Sequence, residues 1–238
     1  MIYAALGDSI TYGYDASDEQ KKFVSLVHAA LSKKKRVSLF TVAKPGWTSK
    51  QLLRSVIKVP KCVWDESGIV TILVGGNDLL RVSPWLLNGM TTKSVPIAEN
   101  LTENLREIVH IVKRPYNKIF IGTVYNPFPN SLVAEECTGI INKSIRLVAL
   151  RENLILVDIF KTFKKREHRL IEGYKTGQMR DFKIRRNPIH PNNFGHLRIS
   201  QAFLFAYRKA ILSKLKEQRK NQSGTKRAAY SSGRVQST

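Results

Sequence analysis

Little in this chain of 238 residues speaks for disulfide, nucleotide, metal or membrane-spanning chemistry. Cysteine occurs only twice, at Cys62 and Cys137, which is too few for a disulfide framework and suits buried free thiols. No His pair shows zinc-ligand spacing, so no metal is implied. Neither a Gly-Lys-Ser/Thr phosphate loop nor a G-x-G-x-x-G fingerprint is present, and the G-x-S-x-G elbow is missing too. No cofactor is expected. No apolar run approaches the roughly 18–20 residues that span a bilayer, so no transmembrane segment is expected. The apolar opening, residues 2–6, is too short for the core of a signal peptide, and a cytoplasmic location is the default expectation.

Acidic residues are also scarce: 18 Asp and Glu face 40 Lys and Arg, for a net charge of +22. The excess is uneven. Residues 161–186 hold ten Lys/Arg against three acids, and the tail from Lys214 holds seven against one. Such charge favours anionic partners such as phospholipid surfaces, polyanionic polymers or nucleic acid, although a solvated surface is the plainer reading. No zinc finger, RNP motif or basic zipper accompanies it, so no specific nucleic-acid module is expected.

What the chain does contain is an alternation of strand-like and helix-like segments. Strands are expected at about 2–6, 37–42, 69–74, 118–125 and 154–160. The run 69–74 is nearly all apolar, as in a parallel strand covered on both faces. Between the strands lie helical patterns: Phe23 to Leu31 after a Ser17–Gln20 capping box, Ser49 to about Ile57, Leu101 to Val112, Ile140 to Val148, and Ile199 to Ile211. Residues 79–96 show little periodicity and read as a loop, lid or pocket wall containing Trp85. The expected fold is one α/β domain over residues 1–213, a three-layer sandwich with a five-stranded parallel sheet in flavodoxin-like order. Residues 214–238 read as a basic, disordered tail.

The unusual residues fall after strands. Ser9 follows the first strand, Gly46 the second, Asn77 the third and His190 the fifth, all on the carboxyl-end edge where ligands collect. Acyl transfer needs a hydroxyl nucleophile, a base to take its proton and donors aimed at the developing oxyanion. Serine, histidine, a glycine N–H and an asparagine amide are suited to those tasks. Asp8 reads as a structural hydrogen-bonding residue, His28 and His110 as structural, His168 as solvated, and His196 as a capping or supporting residue. Trp47, Trp85 and Phe128 are either packing residues or the lining of an acyl pocket.

Four blocks, Gly7-Asp8-Ser9-Ile10-Thr11-Tyr12-Gly13, Pro45-Gly46-Trp47, Gly75-Gly76-Asn77-Asp78 and Asn187-Pro188-Ile189-His190-Pro191, occur in that order. In them the chain resembles the SGNH (GDSL-type) hydrolases over about residues 2–212. The resemblance implies an esterase, lipase or acylhydrolase without a cofactor, acting on a small ester or acylated substrate. Ser9 would be the nucleophile and His190 the general base, with the Ser9 and Gly46 N–H groups and the Asn77 amide as the oxyanion hole. One position departs from the pattern. The family usually has Asp three residues before the histidine, and here that residue is Asn187. Either a backbone carbonyl or the Asn187 side chain orients His190, or Asp181 or Asp158 supplies the acid. Otherwise the chain is a weakly active or inactive protein of this fold that binds anionic polymers or membrane surfaces through its basic segments.

Overall fold

The computed structural model of the protein describes residues 1–33, 35–80, 94–182 and 187–232. Five strands, β1 (Ile2–Gly7), β2 (Ser38–Ala43), β3 (Ser67–Leu73), β4 (Lys118–Gly122) and β5 (Ile155–Val157), form one sheet in the order β2-β1-β3-β4-β5. Every pairing is parallel. This is the expected flavodoxin-like order, in which the strand sequence reverses direction between β1 and β3.

Alternation of side chains along the strands divides the core into two layers. On one face, Ala4, Leu6, Val70, Ile72 and Ile121 pack against α3 (Ser49–Val56), α4 (Lys61–Glu66), α6 (Ser94–Val112) and α7 (Leu132–Arg151). On the other, Tyr3, Ala5, Leu73 and Phe120 meet α2 (Phe23–Ser32), α8 (Ile159–Phe163) and α10 (Asn193–Ser232). Three short helices, α1 (Ser9–Tyr12), α5 (Gly76–Leu80) and α9 (Glu167–Leu170), lie in the connections.

Several local expectations change. The Ser17–Gln20 box does not start a helix. Asp18 instead caps a 3-10 turn by accepting from the Gln20 and Lys21 N–H groups, and α2 begins at Phe23 without a side-chain cap. Helix α4 was not apparent in the sequence because its six residues bury a single large side chain, Trp64, against Phe40. Strand β4 stops at Gly122 rather than at 125, because β5 is only three residues long and provides no partner beyond the Thr123 N–H bond to Val157 O. Val124 satisfies its backbone on a side chain: its N–H donates to Asn142 Oδ1 and its C=O accepts from Asn142 Nδ2, both at 2.8 Å. Helix α10 continues to Ser232, where composition predicts disorder. Its Lys, Arg, Gln, Glu and Ala content carries high intrinsic helix propensity. Of the expected loop at 79–96, residues 81–93, including Trp85, lie outside the described residues.

In the basic segment, Lys161, Lys164, Lys165, Arg166, Arg169, Lys175 and Arg180 are exposed. Cys137 is buried, as expected, but Cys62 is exposed. Among the described residues no helix is long and apolar enough to cross a membrane.

The Asn142 clamp gives a first prediction. Asn142→Leu removes both partners of a buried peptide group, and each orphaned group costs about 1–3 kcal/mol. A clear fall in the urea midpoint with an unchanged slope is expected. An unchanged midpoint contradicts the clamp.

Candidate active site

Parallel register puts Gly7, Ala43 and Leu73 in one row across β2, β1 and β3. Ser9, Gly46 and Asn77 lie two, three and four residues beyond that row, on strands about 4.8 Å apart. They therefore gather at the reversal point of the sheet.

Each block folds as its residues dictate. A side chain at Gly7 would strike Thr11 Oγ1 and the Leu73 carbonyl, so only glycine lets the chain turn this close to β3. Asp8 caps α1, its Oδ1 accepting from the Ile10 N–H at 3.0 Å, and Ser9 is the first helical residue. A first-turn N–H has no intrahelical acceptor, which leaves the Ser9 N–H available as a donor. After β2, Lys44-Pro45-Gly46-Trp47 makes a turn closed by Trp47 N–H to Lys44 O at 3.2 Å. Proline second and glycine third at φ +80° is the type II arrangement. After β3, the Asn77 amide donates to Trp47 O at 2.9 Å, which ties the second and third blocks together. Its other N–H has no partner among the described residues, since an amide carries two donors. Asp78 accepts from the Ser49 N–H at 2.9 Å and from Ser49 Oγ at 2.6 Å, anchoring α3 to the same edge.

The His190 loop is pinned at its backbone. Tyr125 O–H donates to Ile189 O, the Ile189 N–H donates to Asn187 O, and Glu172 N–H donates to His190 O. The imidazole then lies between two partners. Its Nε2 is 3.1 Å from Ser9 Oγ, and its Nδ1 is 3.2 Å from Asp15 Oδ2. The Tyr14 ring covers it with centroids 4.5 Å apart.

The structure therefore brings together Ser9, Asn77 and His190, which line one pocket, with Gly46 on the adjoining turn. The carboxylate at Nδ1 is neither of the two acids that the sequence offered, and Asn187 accepts from the Ile189 N–H through its backbone carbonyl. Asp158 is engaged in capping α8 and pairing with Arg146, and Asp181 accepts from Thr176 and Gly177. The carboxylate at the imidazole is Asp15, on the turn just after the serine helix. No sequence signal marks it, because nothing in its spacing tells that residues 15 and 190 meet.

The pocket has a volume of about 100 Å³, with apolar walls that include Val74, Leu79, Val124, Phe128, Cys137 and Met179. Phe128 is thus a lining residue, while Trp47 packs against the core. Among the described residues no group of three or more His, Cys, Asp or Glu side chains is placed to hold a metal ion. The hydroxyl, imidazole and amide suit proton transfer and stabilisation of a developing oxyanion.

Burial governs the titrations. It holds the His190 imidazole below its ordinary value while Asp15 pulls the other way. His196, fully buried with its Nε2–H donating to Tyr14 O, is pushed down to about 4, mainly by desolvation. Asp8 is pushed up to about 7, again by burial, with the Asp78 charge adding to the rise.

Residues 5–198 match the model of the GDSL-like lipase/acylhydrolase family. No curated protein matches the chain. Among solved structures, the lipase Lip_vut3 from a goat rumen metagenome superposes with a TM-score of 0.72 at 22% identity, covering 87% of this chain and 97% of that one. A lipolytic G-D-S-L family protein from Veillonella parvula gives 0.62 at 16%, covering 86% and 96%. A variant of an acetyl xylan esterase from Geobacillus stearothermophilus gives 0.62 at 20%, covering 86% and 93%. At these identities the structural likeness is one of fold.

Asp8 provides a pH test. Its folded-state pKa of about 7 lies above the ordinary 3.8, so the folded protein binds the extra proton between those values. Stability from this group is therefore greatest at low pH and falls as pH rises through that window. His196 tilts the curve the opposite way between about 4 and 6.5, because its folded pKa is depressed. Comparing Asp8→Asn with the parent isolates Asp8, since asparagine keeps a good cap. The variant should gain stability relative to the parent as pH rises from 4 to 7, read by urea unfolding. A constant difference across that range contradicts the shifted carboxyl.

Proposed function

The chain belongs to the GDSL-like lipase/acylhydrolase family, and on that premise we propose that it hydrolyses carboxylic esters through an acyl-enzyme on Ser9. The observation that carries the reading is the 3.1 Å approach of Ser9 Oγ to His190 Nε2 on the wall of an apolar pocket shared with Asn77. His190 Nε2 takes the hydroxyl proton as Oγ attacks the ester carbonyl. The carbonyl oxygen becomes an oxyanion held by the Ser9 and Gly46 N–H groups and the Asn77 amide. Collapse expels the alcohol, which receives the proton from the imidazolium. Water, activated by the same imidazole, then releases the acid and restores Ser9.

The pocket wall is mostly apolar, which suits the acyl part of an ester. The exposed cations between Lys161 and Arg180 favour a second reading, in which the protein hydrolyses weakly and binds an anionic polymer or membrane surface.

One set of measurements separates the two. Purified protein should turn over p-nitrophenyl esters such as the acetate and butyrate and should react with a fluorophosphonate, and Ser9→Ala should abolish both activities. Asn77→Ala should keep the fold and lose about 100- to 1000-fold in turnover, the usual effect of removing one oxyanion donor. Absence of both turnover and Ser9-dependent labelling rejects the hydrolase. Salt-sensitive retention on heparin or anionic vesicles, lost on deleting residues 214–238, then favours the second reading.

A further inference from the structure

We propose that Asp15 is the carboxylate that orients His190 in this chain, where position 187 carries an amide. The inference rests on reading Ser9 and His190 as nucleophile and base.

A histidine that accepts a proton at Nε2 must carry its own proton on Nδ1, and that N–H needs an acceptor to hold the tautomer and the ring angle. An asparagine side chain is poor at this task, because its amide can turn either an acceptor or a donor toward the ring. Asp15 is not ambiguous in this way. As a carboxylate it only accepts, and its Oδ2 stands 3.2 Å from Nδ1. With Nδ1–H committed to Asp15, the Nε2 lone pair is left for the Ser9 hydroxyl at 3.1 Å.

The turn that carries Asp15 is held from both sides. Gly13 N–H and Tyr14 N–H both donate to the Ser9 carbonyl, at 3.0 and 2.9 Å, so the turn folds back on the serine itself. On the other side, Ser17 N–H donates to Asn193 Oδ1 and Asn193 Nδ2 donates to Ser17 Oγ, both at 3.0 Å. The buried His196 donates to the Tyr14 carbonyl, and the Tyr14 ring lies on His190. Between these anchors Asp15 adopts φ +61°, a conformation that few non-glycine residues take and that aspartate tolerates better than most. A strained residue held by bonds on either side is the signature of a geometry the surrounding structure imposes. Nucleophile and acid thus share one segment, Ser9–Asp15, and the histidine loop brings only the imidazole.

During reaction the Ser9 proton passes to Nε2 and then to the leaving alcohol. The Asp15 carboxylate stabilises the imidazolium in between. Other titratable groups of the surroundings are the Tyr14 phenol on the ring, Asp8 and Tyr125 in the same pocket and, behind Tyr14, His196, with Lys22 acting on His196. Asp15 is the acid at Nδ1.

Asp15→Asn should lower kcat on p-nitrophenyl acetate by about 100-fold or more, with KM little changed. A buried triad acid is worth about 10⁴-fold, and the Asp15 side chain is 32% exposed, so solvent moderates the loss. Loss of the negative charge should also move the acid limb of kcat/KM, and the NMR titration of His190, to lower pH. Asp15→Glu, which keeps a carboxylate, should recover part of the rate, and Asn187→Ala should stay within about threefold of the parent. Parent-like kcat and an unmoved His190 titration in Asp15→Asn overturn the proposal, as does a large loss in Asn187→Ala. If the parent neither turns over esters nor labels at Ser9, the hydrolase reading fails, and the His190 titration still decides whether Asp15 holds the imidazole.

Discussion

The candidate site depends on one constraint, the parallel register of β1 between β2 and β3. Because Gly7, Ala43 and Leu73 share a row, the three segments that leave the sheet there start from a common line. A shift of one residue would turn every side chain of β1 to the opposite face and exchange its two core layers. The register is therefore enforced by burial: Tyr3 and Ala5 on one side and Ala4 and Leu6 on the other are all fully excluded from solvent. The site takes its position from these four strand side chains, none of which lines the pocket.

Beyond the row, polar bonds lock the blocks to one another. Asn77 reaches the Trp47 carbonyl, Asp78 holds Ser49, and Asn104 donates to the same Ser49 hydroxyl. The segments after β2 and β3 and helix α6 thus become one hydrogen-bonded unit, and the amide of Asn77 is oriented before any ligand arrives. Preorganised donors of this kind need little rearrangement when charge develops. The histidine loop is fastened separately, through Tyr125, Glu172 and the Ile171–Pro191 bridge.

Much of this was legible in the sequence. The apolar runs marked the strands, and turn residues marked their ends. The order of Ser9, Gly46, Asn77 and His190 after successive strands already implied one edge. What remained hidden was set by tertiary partners. Strand β4 ends early because Asn142, eighteen residues past Val124 in sequence, replaces a neighbouring strand. Helix α4 is too short to show a period. Asp15 was missed for the same reason that Asn187 looked like a gap: a motif records residues adjacent in sequence, whereas the imidazole meets a carboxylate from the far end of the chain. Asp158 and Asp181, the acids nearer in sequence, are taken up by helix capping and by the Thr176–Gly177 turn.

The central claim is that Ser9 carries the acyl group. It is tested most directly by mixing the protein with p-nitrophenyl acetate, quenching in acid within the first turnovers, and mapping the acetylated residue by mass spectrometry. The account predicts one acetyl group on the peptide containing Ser9, and none in Ser9→Ala. Turnover without acetylation of Ser9, or acetylation at another residue that persists in Ser9→Ala, would contradict it.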